Sequence, residues 1–305
     1  MTMDEKNRYK QEFKSDISNF IRTLKDRISC DDGQWSIKGF IDIYKNIYTI
    51  SSDTKIVSKI LEIHIFPELL KFAESKGYYI ILAEKQNWYP DLTFVRKDNK
   101  NVIFAVDLKT TFRRGYQTVG FTLGSHGAYF EDRNCSKNIQ FPYSKYLGHY
   151  CLAIIYSQIN DDDLSDTRIY RVADLGYKNN IQDTTDRVVT DIESLKSITS
   201  VIKDFDFFIA EKWKIASDSQ GSGNTANIGS IKSEQHMKNE EGVFYRLGED
   251  WFDEYWINYG KVYIVKNGEN TKVTNIWDFL EFKNRSDLFS LVGNGAKRRM
   301  KKKNN

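Results

Sequence analysis

The chain has 305 residues, of which 40% are hydrophobic and 29% charged, a composition typical of a protein that builds a sizeable core without disulfides. Its 45 basic and 42 acidic residues leave a net charge of +3, so any binding of nucleic acid must rest on local charge rather than on the total. No apolar run approaches the roughly 18 residues that a membrane helix needs, and the first residues are polar and charged, so we expect neither a membrane partner nor a secretory signal peptide.

The N-terminal part of the sequence predicts two helices. Apolar residues recur at spacings of three and four over residues 12–28, which is the period of an amphipathic helix. A second helix is predicted to begin beside the N-cap candidates Ser52 and Asp53. We expect Pro67 to bend or restart this helix and Gly77 to end it.

The middle of the chain predicts β-structure. Strands are expected over residues 78–82, 91–96 and 102–110, and the polar stretch 97–101 is typical of a hairpin turn between the last two. Residues 149–156 are apolar and fit either a helix or a strand.

The C-terminal part mixes helix, strand and loop patterns. Residues 192–202 fit a helix and residues 206–215 a strand. The small polar residues of 217–225 indicate a loop, and the aromatic-rich stretch 251–259 indicates a helix. Six of the seven residues 297–303 are basic, which is typical of a solvated tail.

The placement of cysteine and histidine gives no pattern for metal binding. Cys30, Cys135 and Cys151 are far apart and form no CxxC pair, and the four histidines have no ligand spacing, so we expect no structural zinc site. Sparse cysteines in an odd number are typical of a reducing compartment. We therefore expect the protein to be cytoplasmic.

The most informative residues are Pro90-Asp91 and Asp107-Leu108-Lys109. If the two strands around residues 97–101 form an antiparallel hairpin, Asp91 lies opposite Asp107 on the neighbouring strand. Lys109 is two residues beyond Asp107 and projects from the same face of its strand. The pattern therefore predicts two carboxylates and an ammonium in one small patch.

Two neighbouring carboxylates repel each other, and a divalent cation removes that repulsion. Oxygen ligands alone favour Mg²⁺, with Mn²⁺ as a substitute, and such an ion polarises phosphate oxygens and activates water. Lys109 could then orient that water and stabilise negative charge in the transition state. The alternative is a Pro-Asp turn and a solvated strand edge. The mirrored spacing, together with an apolar strand that ends in these charges, favours the metal site.

The same residues resemble the PD-(D/E)xK motif of nucleases, and longer strings around them are similar to EcoRV-type type II restriction endonucleases. The similar strings are Ser52-Asp53-Thr54-Lys55, Gln86-Asn87-x-Tyr89-Pro90-Asp91, Asp107-x-Lys109-Thr110-Thr111, Phe121-Thr122-Leu123-Gly124, Lys137-Asn138-Ile139, Gly221-Ser222-Gly223-Asn224-Thr225, Asn227-Ile228-Gly229-Ser230-Ile231 and Tyr255-Trp256-x-Asn258-Tyr259. The resemblance covers residues 50–157 and 207–259. Residues 160–205 are longer than the family pattern, and the sequence beyond residue 260 does not match it clearly.

The resemblance implies an α/β fold with a mixed β-sheet flanked by helices and with DNA-binding arms. It also implies that Asp91 and Asp107 bind the metal and that Lys109 is the catalytic lysine. Glu62 would be an auxiliary metal-binding carboxylate on a helix beside the site, although a solvated helix residue is an equal alternative. The implied reaction is Mg²⁺-dependent hydrolysis of both strands of duplex DNA, which leaves 5′-phosphate ends.

The resemblance further implies which residues touch DNA. Gly221, Ser222, Gly223, Asn224 and Thr225 match the family's recognition loop, in which an Asn can bind adenine and a Thr methyl can touch thymine. Ala226 departs from the family's second threonine. Gln86 and Asn87 match a minor-groove loop, but Trp88 stands where the family has histidine. The remaining expected contacts with DNA are Thr54, Lys55, Thr111, Lys137 and Asn227.

The implied target is a palindrome, GATATC or a close relative cut at its centre, so we expect a homodimer and a companion DNA methyltransferase in the same host. We assign residues 1–50 to an N-terminal arm that is a candidate dimerisation element, although its helix could equally pack in the core. Residues 51–260 would form the catalytic and DNA-binding domain, and residues 261–305 a C-terminal extension with the basic tail. A nuclease of the same superfamily without sequence specificity and an inactive DNA-binding protein stay open as alternatives.

Overall fold

The computed structural model describes residues 1–44, 46–85, 87–159, 169–171, 198–221, 226–266 and 268–297. The helices are Met3–Ile21 (α1), Leu24–Ile28 (α2), Thr54–Ser75 (α3), Glu234–Lys238 (α4), Glu249–Asn258 (α5) and Ile276–Phe282 (α6). The strands are Gly39–Ile41 (β1), Asn46–Thr49 (β2), Tyr78–Leu82 (β3), Leu92–Arg96 (β4), Ile103–Arg114 (β5), Gln117–Thr118 (β6), Thr122–Ser125 (β7), Gly148–Gln158 (β8), Ile169–Arg171 (β9), Ile202–Glu211 (β10), Ala216–Gln220 (β11), Asn227–Ser230 (β12), Tyr263–Lys266 (β13) and Glu269–Lys272 (β14). The short 3₁₀ helices are Ala128–Phe130, Tyr143–Lys145, Lys212–Lys214 and Ser286–Leu291.

A six-stranded mixed sheet forms the centre of the fold. Its strand order is β10-β8-β5-β4-β3, with β6 paired beside β5. β5 and β8 run parallel, whereas the other neighbours along this path are antiparallel. Helices α1 and α3 lie on one face, and α5 and α6 belong to the hydrophobic cluster on the other. The predicted mixed sheet flanked by helices is confirmed.

The register of the β4–β5 hairpin is the one that the sequence predicts. Leu92 pairs with Val106 and Phe94 with Phe104, which brings position 91 opposite position 107. Side chains alternate along β5, so that Phe104 enters one hydrophobic cluster and Ala105 the other. Asp107 and Lys109 continue the row of Ala105, on the face that carries the site.

The first helix packs against the sheet within its own chain. The ring of Phe13 stacks on Phe104 with the centroids 4.2 Å apart, and Ile17 is fully buried in the same cluster. The prediction of one helix over residues 12–28 was wrong in its bounds. Thr2 and Glu5 form a capping box that starts α1 at Met3, and a turn at Arg22 and Thr23 separates the end of α1 at Ile21 from the start of α2 at Leu24.

Helix α3 begins as the sequence indicates. The carboxylate of Asp53 accepts hydrogen bonds from the backbone N–H groups of Lys55 and Ile56, a cap that contributes about 1 kcal/mol. Of the two expectations for Pro67, a restart of the helix was wrong, since α3 continues to Ser75, and a bend stays a prediction. Buried residues on both sides of the proline hold the helix against the core, and Gly77 at φ +71° follows its end.

The remaining predicted elements between residues 149 and 259 agree with the structure in part. The stretch 149–156 is part of β8, and the predicted helix over 251–259 is α5. Residues 216–220 form β11 instead of the predicted loop, because the Asp218 carboxylate is buried and accepts the backbone N–H groups of Ile276 and Lys297. The predicted strand over 206–215 is shifted, since β10 ends at Glu211 and a 3₁₀ helix follows.

Two predictions fall wholly or partly outside the described residues. Residues 192–197 of the predicted helix are not described, while residues 198–201 are not helical and Ile202 begins β10. Of the basic tail, only Lys297 is described. Among the described residues, no helix combines the length and apolar composition needed to cross a bilayer.

Residues beyond 260 contribute to the core. Val273, Ile276 and Phe279 are fully buried in the cluster that also contains Trp256 of α5. The sequence predicted no such packing, because the aromatic and aliphatic residues there are spread over a hairpin, a short helix and loops. The division of the chain into segments 1–50, 51–260 and 261–305 stays a prediction.

Candidate active site

Three charged side chains meet at the end of the β4–β5 hairpin. Asp91 lies immediately before β4, and Asp107 and Lys109 lie on β5. Lys109 Nζ is 2.6 Å from Asp107 Oδ2 and 3.9 Å from Asp91 Oδ2. The backbone N–H of Leu108 donates to Asp91 Oδ2 at 2.8 Å, which fixes the orientation of that carboxylate. The hairpin register, with its side-chain alternation, is what brings the three together.

The two carboxylates have opposite electrostatic surroundings. Burial raises the pKa of Asp91 to about 7, and the neighbouring charge of Asp107 adds to the rise. Burial also opposes ionisation of Asp107, but the Lys109 ammonium outweighs it and lowers the pKa of that carboxyl. Burial would lower the pKa of Lys109, yet the charges of Asp107 and Asp91 raise it. Asp91 and Asp107 are therefore not both readily ionised beside the single ammonium of Lys109, and a further cation would favour ionisation of both.

The donor set fits a magnesium ion. Two carboxylates from facing strands offer oxygen ligands, and Mg²⁺ is commonly bound by one or two carboxylates together with substrate phosphates and water. The side chain of Asp91 is 38% exposed and that of Asp107 11%, so the pair remains open to solvent on one side. Within the described residues, no three His, Cys, Asp or Glu side chains form a metal-binding group.

Glu62 stays a prediction as a metal ligand. It lies on α3, and its carboxylate pairs with the ammonium of Lys59 at 2.7 Å. It does not join Asp91 and Asp107 in a three-residue cluster among the described residues. The hydrogen bond to Glu62 raises the pKa of Lys59, and the charge of Asp91 adds a smaller rise.

Comparison with known proteins agrees with this geometry. A model of the restriction endonuclease EcoRV family matches residues 31–180 and 174–284. The type II restriction enzyme EcoRV of Escherichia coli is 31% identical over 261 residues, which span 84% of this chain and 94% of that enzyme. The chain belongs to the EcoRV restriction endonuclease family. Its activity class is therefore that of a type II site-specific deoxyribonuclease.

In this member of the EcoRV family, the base of the predicted recognition loop is well defined. The N–H of Gly221 donates to the carbonyl of Asn227 at 3.1 Å and closes the β11–β12 hairpin. The N–H of His126, which directly follows β7, donates to the carbonyl of Ala226 at 2.8 Å. A Cβ at Gly221 would lie 2.7 Å from the Thr122 side chain, so a larger residue there would require Thr122 to move. Ser222, Gly223, Asn224 and Thr225 lie outside the described residues.

The other predicted DNA contacts differ in exposure. Thr54, Lys55, Asn87 and Lys137 are exposed, as phosphate or groove contacts need to be, while Gln86 lies outside the described residues. Thr111 is 4% exposed and its hydroxyl donates to the carbonyl of Gly120 at 3.2 Å. In this structure Thr111 therefore links β5 to the segment between β6 and β7 instead of facing solvent, and its contact with DNA stays a prediction.

Sequence reasoning missed a buried aromatic cluster that lies next to the site. The Tyr89 hydroxyl lies 3.0 Å from His149 Nδ1, and the ring of Tyr143 stacks on His149 with the centroids 3.6 Å apart. Burial lowers the pKa of His149 well below its usual value, so its ring is neutral near pH 7. The position of Tyr89 next to Pro90-Asp91 is a sequence signal for a role near the site, whereas His149 lies at the start of an apolar stretch and gives no such signal.

Proposed function

We propose that the protein hydrolyses one phosphodiester in each strand of duplex DNA, with Mg²⁺ held by Asp91 and Asp107, at the palindrome GATATC or a close relative. The observation that carries the proposal is the contact of Lys109 with both carboxylates, at 2.6 and 3.9 Å, in a chain of the EcoRV family. The proposed products are blunt ends with 5′-phosphates. A companion methyltransferase in the cytoplasm of the host would protect the host DNA.

The bound ion would supply Lewis acidity and a more acidic water at the scissile phosphate. Residues of the chain would hold the metal-binding carboxylates in place and stabilise the developing charge. The backbone N–H of Leu108 holds one oxygen of Asp91, which leaves the second oxygen available as a ligand. The ammonium of Lys109 lies beside both carboxylates and would stabilise the negative charge that develops on the attacked phosphate. Tyr89, Tyr143 and His149 form a buried aromatic cluster next to the site.

The target assignment rests on the loop that joins β11 and β12. Its glycines allow close approach of the backbone to base edges, and Asn224 can bond adenine N6 and N7 in the major groove. We expect Asn224→Ala to lose about 1–3 kcal/mol of discrimination at that adenine. The measurement compares cleavage rates on a GATATC duplex and on duplexes with that base pair replaced. Lys137→Ala is the control, because loss of a phosphate contact weakens cutting of both duplexes equally. Unaltered discrimination by Asn224→Ala contradicts the assignment.

The proposed homodimer needs an apolar surface that the chain does not cover, and the β1–β2 hairpin offers one. Ile43 and Tyr44 are 88% and 79% exposed, and Phe40 and Ile41 are also exposed beside them. A second copy of this chain is the proposed occupant, because a palindromic site requires two-fold symmetry and the apolar face of α1 is already buried in its own core.

We expect Ile43→Asp to weaken dimerisation by at least about tenfold, since a charge buried in an interface without a partner costs more than 1.4 kcal/mol, roughly the free energy of a tenfold change. Sedimentation equilibrium measures the dissociation constant. Val265→Asp is the matched control, because Val265 is 72% exposed on another hairpin. Equal dissociation constants for both variants and the parent would place the dimer contact elsewhere.

Digestion of a plasmid of known sequence, followed by sequencing of the fragment ends, tests the proposal. We expect discrete fragments that begin and end at the centre of GATATC. Staggered ends or another sequence contradict the target while leaving the family assignment in place, and a smear contradicts site specificity.

A further inference from the structure

Lys212 is a buried lysine that the proposed chemistry does not use. Its side chain lies in the 3₁₀ helix between β10 and β11, and the residue is 3% exposed. Within the described part of the chain, its ammonium has no hydrogen-bond partner. A buried ammonium without a hydrogen-bond partner destabilises a folded protein, so stability alone does not explain why a lysine occupies this position.

Aromatic rings surround the ammonium of Lys212. Nζ lies 5.1 Å from the ring centroid of Tyr89, 5.2 Å from that of Phe130 and 5.7 Å from that of Tyr143. Gly124 faces the same space, and a Cβ there would lie 3.6 Å from Nζ. Ring faces attract a cation within about 6 Å, so the cage holds the side chain without a hydrogen bond.

Charged groups face the cage from several elements. Burial lowers the pKa of Lys212 to about 7, the carboxylate of Asp107 opposes that shift, and the guanidinium of Arg133 adds to it. Asp253 of α5 and Lys109 of β5 act more weakly. The largest favourable charge is thus a carboxylate of the proposed metal centre.

The cage joins two functional segments that are distant in the sequence. Lys212 precedes β11, which runs directly to Gly221 at the base of the recognition loop. Tyr89 precedes Pro90 and Asp91, and its backbone is held by Asn138 and Gln140. The contact between the ammonium and the Tyr89 ring therefore links the recognition hairpin to the strand end that carries a metal ligand.

We infer that Lys212 is a positioning residue that holds Tyr89, and through it Asp91, in place relative to the recognition hairpin. The inference rests on the proposed function, because the positioned carboxylate matters for cutting only if Asp91 binds the metal. It assigns the lysine a role in catalysis through Tyr89, with no direct contact with DNA.

Lys212→Met tests the inference, since methionine fills a similar volume without the charge. We expect the melting temperature to rise by about 2–4 °C, as removal of an unpaired buried charge stabilises the fold. Hydrogen exchange in peptides covering residues 87–92 should nevertheless become faster. The single-turnover cleavage rate at saturating DNA should fall by at least about tenfold, with the half-saturating DNA concentration changed less than about twofold.

Lys214→Met is the matched control in the same 3₁₀ helix. Lys214 pairs with Glu211 at 2.6 Å and with Glu240 at 3.7 Å, away from the cage. This variant should lower the melting temperature but leave the exchange of residues 87–92 and the cleavage rate unchanged.

Several results would overturn the inference. They are a Lys212→Met variant that does not fold, one whose exchange at residues 87–92 equals that of the parent, and one that loses DNA affinity in place of rate. If the parent itself does not cut DNA, the proposed function fails. Hydrogen exchange still decides whether Lys212 holds Tyr89.

Discussion

Replacing Asp107 by asparagine is expected to abolish cutting while DNA binding persists. The change removes the negative charge of Asp107, one of the two proposed metal ligands. The other, Asp91, accepts the backbone N–H of Leu108 at 2.8 Å. Loss of about 4 kcal/mol of transition-state stabilisation corresponds to roughly a thousand-fold slower reaction. Asp91→Asn should behave in the same way, and its amide oxygen can still accept the Leu108 N–H. Single-turnover cleavage of an end-labelled duplex in Mg²⁺ measures the effect.

Asp98→Asn is the control for this pair of variants. Asp98 lies in the turn of the same hairpin, where it is exposed and pairs with Arg96 at 2.8 Å. The Asp98→Asn substitution therefore removes the same charge at a site away from the two carboxylates. It should cut at nearly the parent rate. An Asp91 or Asp107 variant that retains more than about a tenth of the parent rate, a loss of under 1.4 kcal/mol, shows that the metal-site assignment is wrong.

Lys109→Ala is expected to be nearly inactive but to bind metal and DNA. The ammonium lies 2.6 Å from Asp107 Oδ2 and 3.9 Å from Asp91 Oδ2, and its proposed role is to stabilise the negative charge that grows during the reaction. Removing one such donor typically slows catalysis by about 10²–10³-fold, because the interaction is made mainly in the transition state. Cleavage rates at saturating DNA, together with half-saturating concentrations, separate this effect from weaker binding.

Lys100→Ala, in the turn between β4 and β5, provides the corresponding control for loss of a lysine. Its ammonium lies 4.0 Å from the ring centroid of Tyr79, away from the carboxylates. An unchanged cleavage rate for Lys109→Ala, with only weaker DNA affinity, would make Lys109 a phosphate contact.

The sequence predicted the active-site hairpin because short-range rules determine it. A polar turn between two apolar strands sets the register, and the register places Asp107 opposite Asp91 and Lys109 on the same face. The N-cap of α3 was equally local, since Asp53 bonds to N–H groups two and three residues ahead. Side-chain geometry then followed without knowledge of the rest of the chain.

Features that depend on tertiary contacts were not predictable in this way. β11 is polar, a composition that predicts a loop. The strand forms because the Asp218 carboxylate accepts backbone N–H groups from the distant residues Ile276 and Lys297. Lys212 carries no local signal, and only the fold brings it against Tyr89. The helix that continues through Pro67 depends on burial against the sheet, which outweighs one missing hydrogen bond.

The most direct test of the proposed mechanism is digestion of plasmid DNA by the purified protein, with Mg²⁺ or with a chelator, beside the Asp107→Asn variant. We expect discrete fragments from the parent in Mg²⁺, and intact plasmid both with the chelator and with the variant. Discrete cutting that persists in the chelator, or equal cutting by Asp107→Asn, would contradict a metal centre built on Asp91 and Asp107.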